Sequence, residues 1–182
     1  MIDGRERSIL TKMRAIAVVG SSNIDMVTYT SQIPDSGETV IGKSFSTNFG
    51  GKGANQAAMA SRFNATVYMV TGVGSDFFGD QIIENMKLAD INTEHLHKFS
   101  ESTGVASIWV DETGANRIIV VPGASNLLQA KDAVAAIQTI KDLGVVVGQL
   151  EILEEVKENV IKADAPVAKP KRKYKKKPKT NA

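Results

Sequence analysis

Lys52 lies among three glycines in the run Gly50-Gly51-Lys52-Gly53-Ala54-Asn55-Gln56. Glycine has no Cβ, so a backbone of this composition can approach a ligand closely. The alanine-rich QAAMASRF that follows starts a helix near Ala54. The first N–H groups of a helix have no intrahelical partner and are open to a polar or anionic ligand. Lys52 adds a charge, and Asn55 offers both a donor and an acceptor. Taken alone, the cluster is equally well read as a tight strand-to-helix turn. Two further pieces bear on it. Gly20-Ser21-Ser22-Asn23-Ile24-Asp25 follows the first apolar run, and Glu151 follows the last. In open α/β sheets, ligands sit beyond the C-terminal ends of the strands. Asn23, Asp25, Asn55 and Glu151 are therefore expected to converge there. Two carboxylates and two amides suit a polyol, because each hydroxyl of such a ligand both donates and accepts. Asp25 by itself is as well explained by capping of a helix or turn.

Other motifs carry less. Gly37-Glu-Thr-Val-Ile-Gly42-Lys43-Ser44 satisfies GxxxxGK[ST], a phosphate-loop pattern. That loop needs a buried strand before it and a helix after it. QIPDS and FSTNFGG supply neither, and Thr39-Val40-Ile41 favours extended chain. Gly72-Val-Gly74-Ser-Asp-Phe-Phe-Gly79 has the wrong spacing for a dinucleotide fingerprint and reads as a turn into a helix. His95 and His97 alternate along a strand-like stretch and read as solvated surface rather than a metal pair. The chain has no cysteine, which removes disulfides and thiolate metal sites. No metal site is expected.

The elements that must position the candidate residues alternate. AIAVVG (15–20), ATVYMVTGVG (65–74) and VVVGQL (145–150) read as buried parallel strands. GDQIIENMKLADI (79–91) and LLQAKDAVAAIQTIKDLG (127–144) read as helices, the second closed by Gly144. Asn64 is placed to end the helix that starts near Ala54 in a left-handed conformation. Strands alternating with helices predict an α/β fold with a doubly wound parallel sheet. Two β-rich inserts, 38–49 and 104–121, break the alternation. The second reads as a hairpin turning at DETGAN, and the two together are expected to form a small separate sheet. ILEEVKENVIKAD, with its core at 153–164, predicts a short amphipathic helix.

Charge divides the chain. Of 182 residues, 20 are acidic and 22 basic, for a net charge of +2. All the acidic residues lie at or before Asp164, while eight basic residues lie after it, so the tail carries +8 and the remainder −6. Residues 165–182 hold three prolines and only Val167 and Tyr174 as apolar residues larger than alanine. Such a segment buries too little surface to offset its ordering entropy, so a disordered basic tail is expected. Its stretch 169–179 reads as a nuclear-import segment or one that binds nucleic acid or acidic surfaces, or else as an extension without a role. Residues 1–13 are charged, lack a signal-peptide core and read as an N-terminal extension. No apolar run approaches the ~20 residues needed to span a bilayer. A soluble, cytoplasmic protein is expected, with the nucleus open through the tail.

GSSNID, PDSGETVIG, NFGGKGANQAAMASR, TGVGSDFFGD, STGVASIWVDETGANRIIVVPGASN and VGQLE occur in this order and spacing. From about Arg14 to Ile152 the chain resembles the ribokinase-like family of sugar and nucleoside kinases. GGKGANQ combined with QLE points to its ribokinase branch rather than to fructokinases or adenosine kinases. The resemblance implies a doubly wound, Rossmann-like domain with a small β-sheet lid built from the two inserts. It implies a sugar kinase that phosphorylates D-ribose at the 5-hydroxyl with ATP and Mg²⁺, and it admits a monovalent cation. By motif, Asn23 and Asp25 would bond ribose hydroxyls. Gly51, Lys52, Gly53 and Asn55 would line the sugar site, and Glu151 would face it from the opposite side. The lid would also form a homodimer contact.

The resemblance stops early. Family kinases continue for roughly another half-chain, which carries an Asn-x-x-Glu motif, a Gly-Ala-Gly-Asp anion hole with the catalytic base, and the nucleotide pocket. The expectation is thus a truncated fold, with the ribose-binding half (14–152) but no catalytic residue and no ATP site, inactive by itself. Gly123-Ala124-Ser125-Asn126 is assigned to the lid region and does not replace the missing motif. The alternative expectation is a non-catalytic sugar-binding or dimerising fragment with a basic tail.

Overall fold

A computed structural model describes residues 14–149 and 151–164. The N-terminal extension (1–13) and the basic tail (165–182) lie outside the described residues. Among the described residues the chain forms two sheets. The first holds β1 (Ala15–Val19), β4 (Val67–Gly74), β5 (Ile91–Asn92), β6 (Leu96–Phe99) and β9 (Leu143–Gly148). All its pairings are parallel: β1 lies between β4 and β9, and β4 also pairs with β5 and β6 along its other edge. The second sheet runs β3 (Ser44–Gly50), β2 (Asn23–Tyr29), β7 (Gly104–Val110), β8 (Asn116–Val121).

Helices cover both faces of the parallel sheet, as the alternation predicts. α1 (Lys52–Arg62) and α2 (Phe77–Leu88) bury Ala57, Ile82 and Met86 against Val18, Val67, Met69 and Val73. On the other face, α3 (Ala130–Thr139) and α4 (Glu154–Asp164) bury Ala133, Ala136, Ile137, Val156 and Val160 against Val19 and Val70. Val18 and Val19 therefore look into different cores, which is why β1 is apolar at every position. Each such fully buried side chain contributes about 1.5–3 kcal/mol.

Five sequence expectations change. The insert 38–49 is a strand only from Ser44; before it the chain turns at Gly37 (φ 80°), and Lys43 reaches Glu112 on the β7–β8 turn. The lid also has a strand that the pattern did not show: β2 is one of its two inner strands, parallel to β7 and antiparallel to β3. The helix placed at 127–144 is shorter. Gly123–Leu127 is a 3₁₀ turn, α3 starts at Ala130, and the chain reverses through Asp142 (φ 54°), leaving Gly144 inside β9. The segment Gly123–Asn126 is not part of the lid sheet but packs on β4, with Ala124 and Ser125 buried. His95 and His97 are half-buried, against the rings of Tyr68 and Phe99 respectively. Asn64 takes the left-handed conformation expected of it, at φ 59°.

Candidate functional site

The crossover from the parallel sheet to the lid occurs where β1 runs through Ser21 and Ser22 into β2. This crossing is tied down from three sides. Ser21 N–H donates to the Gln149 side chain (3.2 Å), and Gln149 N–H donates to Val19 O (2.9 Å). Ser22 N–H donates to Ser125 Oγ (3.4 Å), which lies 3.0 Å from Ser22 O and 3.2 Å from Gly72 O. Ala54 N–H donates to Ser21 O (3.0 Å), fixing the start of α1.

Glycines make the close approach of α1 to this crossing sterically feasible. A Cβ on Gly53 would stand 2.7–2.9 Å from backbone atoms of Gly20 and Ser21. Gly51 has φ 97°, and a Cβ there would meet Ser21 O at 2.6 Å. Gly53 is itself buried, so its part is to seat the helix rather than to face a ligand.

Around this joint the candidate residues assemble. On β2, Asn23 Nδ2 donates to Asp25 Oδ1 at 2.6 Å. Asp25 pairs across the sheet with Asn48 and Ala106. A Cβ on Gly50 would lie 2.2 Å from Asp25 Oδ1, so only glycine leaves the carboxylate its place. Burial pushes the Asp25 carboxyl up from its ordinary value, against the lowering effect of the Asn23 hydrogen bond. Lys52, at the start of α1, forms an ion pair with Glu151, which also accepts from Ser21 Oγ at 3.2 Å. Both members of the pair are exposed. Asn55 is exposed on the first turn of α1 and makes no side-chain hydrogen bond to another described residue.

A cavity of about 360 Å³ opens at the joint, lined by Ser21, Ser22, Asn23, Ser125, Asn126, Glu151 and Ile152, with Val120 of β8 and Pro122 just after it. It lies beyond the C-terminal ends of β1 and β9, where ligands of such sheets sit. A larger hollow of about 640 Å³, lined by Asn64, Lys87 and Asp90 among others, lies at the opposite end of β4. None of the candidate residues reaches it. Ser22 Oγ is buried without a hydrogen-bond partner beside the smaller cavity. Ser21, Ser22, Ser125 and Gln149 were missed by sequence reasoning. Serine is common in turns for local reasons, and nothing in the spacing marks contacts that span 103 to 130 residues.

Of the candidate residues, Asn23 and Glu151 line this cavity, Asp25 and Lys52 adjoin it through their contacts with those two, and Asn55 lies one turn along α1 without a contact to either. Among the described residues, no group of three His, Cys, Asp or Glu side chains is placed to hold a metal ion. Nor is any described helix long and apolar enough to cross a membrane.

The chain is similar in sequence and fold to known proteins. A deoxyribokinase of Salmonella typhi is 41% identical over 138 residues, which are 75% of this chain and 45% of the relative. A mouse ribokinase is 43% identical over 139 residues, 76% of this chain and 43% of its own. The ribokinase structure from Giardia lamblia superposes with a TM-score of 0.75 at 30% identity, over 85% of this chain and 48% of that one. The Arabidopsis thaliana ribokinase, solved with ribose and ATP, gives 0.67 at 29% identity over 82% and 51%. The chain thus spans about half the length of the relatives it matches. The model of the pfkB family of carbohydrate kinases matches residues 13–170, and the chain belongs to that family.

Proposed function

We propose that residues 14–152 form the sugar-binding half of a pfkB kinase site and that its ligand is D-ribose or a close pentose. The observation that carries this reading is the Asn23–Asp25 pair on β2, kept open by Gly50 and facing the crossing that also holds Glu151 and Lys52. Asp25 accepts from a sugar hydroxyl, and its partly desolvated carboxylate strengthens that bond. Asn23 fixes the carboxylate's orientation. Lys52 donates from the glycine turn, and Asn55 extends the contact along α1. Glu151 accepts from the far side, once the ligand inserts into or replaces its pairing with Lys52. The lid strands β2, β3, β7 and β8 shield the sugar from water.

The reaction of the whole enzyme would be ATP-dependent phosphorylation of the 5-hydroxyl. This chain's part in it is to bind and orient the sugar. Residues 14–152 are assigned the sugar rather than ATP or Mg²⁺, and none of them is assigned as base. The test has two arms. Calorimetry should show ribose binding that weakens by about 1–3 kcal/mol in Asp25→Ala, the effect of leaving polar groups unpaired. 2-Deoxyribose is the comparator, because relatives carry both names. Unchanged affinity in the variant would refute the assignment. A coupled assay for ADP with ribose, Mg²⁺ and ATP should show no turnover from the chain by itself. A rate near the kinase range of about 1–100 s⁻¹ would refute that division of labour.

A second reading has its own observation. Phe45 (62% exposed) and Ile119 (61%) share the face of the lid opposite Asp25 and leave it partly apolar. Such a patch favours association, and lid-to-lid pairing of two copies would cover it.

A further inference from the structure

The crossing between β1 and β2 holds a polar group that none of the assigned contacts uses. Ser22 is 1% exposed. Its backbone is held by Ser125: the Ser22 N–H donates to Ser125 Oγ, and the Ser22 carbonyl lies 3.0 Å from that same hydroxyl. Its own Oγ is buried and has no hydrogen-bond partner. A buried hydroxyl without a partner destabilises a fold, and alanine at this position would keep every backbone bond while removing the unsatisfied group. Packing therefore does not account for a serine here.

The position is interior. A Cβ on Gly51 would stand 2.6 Å from Ser22 Cα, so the glycine turn closes over one side, and the 3₁₀ turn that carries Ser125 closes over another. Ser22 leads into β2, which lies between β3 and β7, so no open sheet edge borders it. Ser22 nevertheless forms part of the wall of the 360 Å³ cavity, beside Asn23 and Glu151. Three other polar side chains of that wall are already engaged. Asn23 Nδ2 donates to Asp25, Ser21 Oγ donates to Glu151, and Ser125 Oγ serves the crossing. The carboxylates can only accept. A ligand hydroxyl that donates to one of them keeps an oxygen free to accept, and the Ser22 O–H is a donor with no other partner.

We propose that Ser22 Oγ is a ligand-binding group of this site and hydrogen-bonds a sugar hydroxyl, an inference that rests on the pentose reading. A serine hydroxyl has three staggered positions about χ1. With no partner to lose, it turns toward the cavity without breaking a bond when the sugar enters. The sugar then satisfies a group that the fold leaves unsatisfied. Thr71 supplies the contrast. Its Oγ1 is the other unpartnered side-chain oxygen among the buried, described residues, but Thr71 is 0% exposed on β4 and is not part of the cavity wall.

The experiment compares Ser22→Ala and Thr71→Val in the 182-residue chain, by thermal melts and by calorimetry with ribose. Each variant removes an unpartnered hydroxyl, so each should melt at or above the parent. Ser22→Ala should bind ribose about tenfold more weakly, whereas Thr71→Val should bind as the parent does. Stability and affinity that move in opposite directions are not the result of a merely structural role. Three results would overturn the proposal alone. One is Ser22→Ala with the parent's affinity. Another is a Ser22→Ala melt below the parent's, which gives the hydroxyl a partner within the fold. The third is an equal loss of affinity in Thr71→Val, which assigns the effect to packing around the crossing. A parent chain that binds no ribose overturns the pentose reading and this contact with it. Asp25→Ala tells the two failures apart, because under the pentose reading it weakens binding whatever Ser22 does.

Discussion

Gly53→Ala isolates what the glycine turn does. The added Cβ would meet Gly20 C at 2.7 Å, Gly20 Cα at 2.8 Å and Ser21 N at 2.9 Å, all backbone atoms that no side-chain rotation can move. Ordinary contact begins at 3.4 Å, so the shortfall is 0.5–0.7 Å. The start of α1 must retreat from the β1–β2 crossing by about that amount. Overpacking of this kind costs about 1–3 kcal/mol, offset by up to about 1 kcal/mol from alanine's higher helix propensity. For a chain of this size each lost kcal/mol lowers the melting temperature by about 2–4 °C. Binding should suffer more than folding. Lys52 and Asn55 ride on α1, whereas Asn23 and Asp25 stay on β2, so the two halves of the site separate. N–H···O bonds span only about 2.7–3.2 Å, and losing one or two of them lowers ribose affinity roughly tenfold to a hundredfold. Calorimetry and thermal melts measure both effects. Gly114→Asn is the control: Gly114 has φ 81° with nothing within 4 Å, and asparagine tolerates that conformation. If Gly53→Ala binds and melts like the parent, the close approach of α1 to Gly20 is not what sets the site.

Two titrating carboxylates give opposite expectations. Burial raises the Asp25 pKa, so between the ordinary value of 3.8 and the raised one the folded state holds the extra proton and stability falls as pH rises. Asp25→Asn should therefore melt higher than the parent at neutral pH and equal to it in acid, while binding sugar poorly; a lower melt at neutral pH contradicts this. For Asp76, burial pushes the carboxyl up, but hydrogen bonds from the Thr103 side chain and backbone and from Gly79 N–H outweigh it and hold the value below 3.8. Its contribution is present above 3.8 and is lost as pH falls through the folded value. Asp76→Ala should remove the α2 cap and two bonds to the start of β7, costing about 1–3 kcal/mol at neutral pH in denaturant titrations. Equal stability there would show that the cap is dispensable.

Much of this was legible in the sequence, for reasons that can be named. β1, β4 and β9 are buried on both faces, so their aliphatic runs stand out. α2 shows a helical period because one side is wet. The glycine cluster was visible because close backbone contact leaves no other residue choice at Gly51 or Gly53. β2 was not visible. NIDMVTY alternates only over residues 23–26, the successive apolar Met26 and Val27 break the pattern, and aspartate and asparagine are poor strand formers. The length of α3 was misread because Leu127 and Leu128 continue its apolar period, although Leu128 is buried as extended chain before the helix begins. Gln149 and Ser125 were silent because their partners lie far away along the chain.

The parallel partner of β1 has a consequence for synthesis. Ala17 pairs with Val146, so the first strand waits for more than a hundred residues before its second neighbour exists. At ribosomal rates of about 5–20 residues per second, that delay is roughly 6–26 s. Through that interval the side of β1 that will meet β9 stays open on the nascent chain, while β4, α1 and α2 are already made. The early half-sheet is thus a long-lived intermediate with an exposed aliphatic strand, the kind of species that holding chaperones recognise.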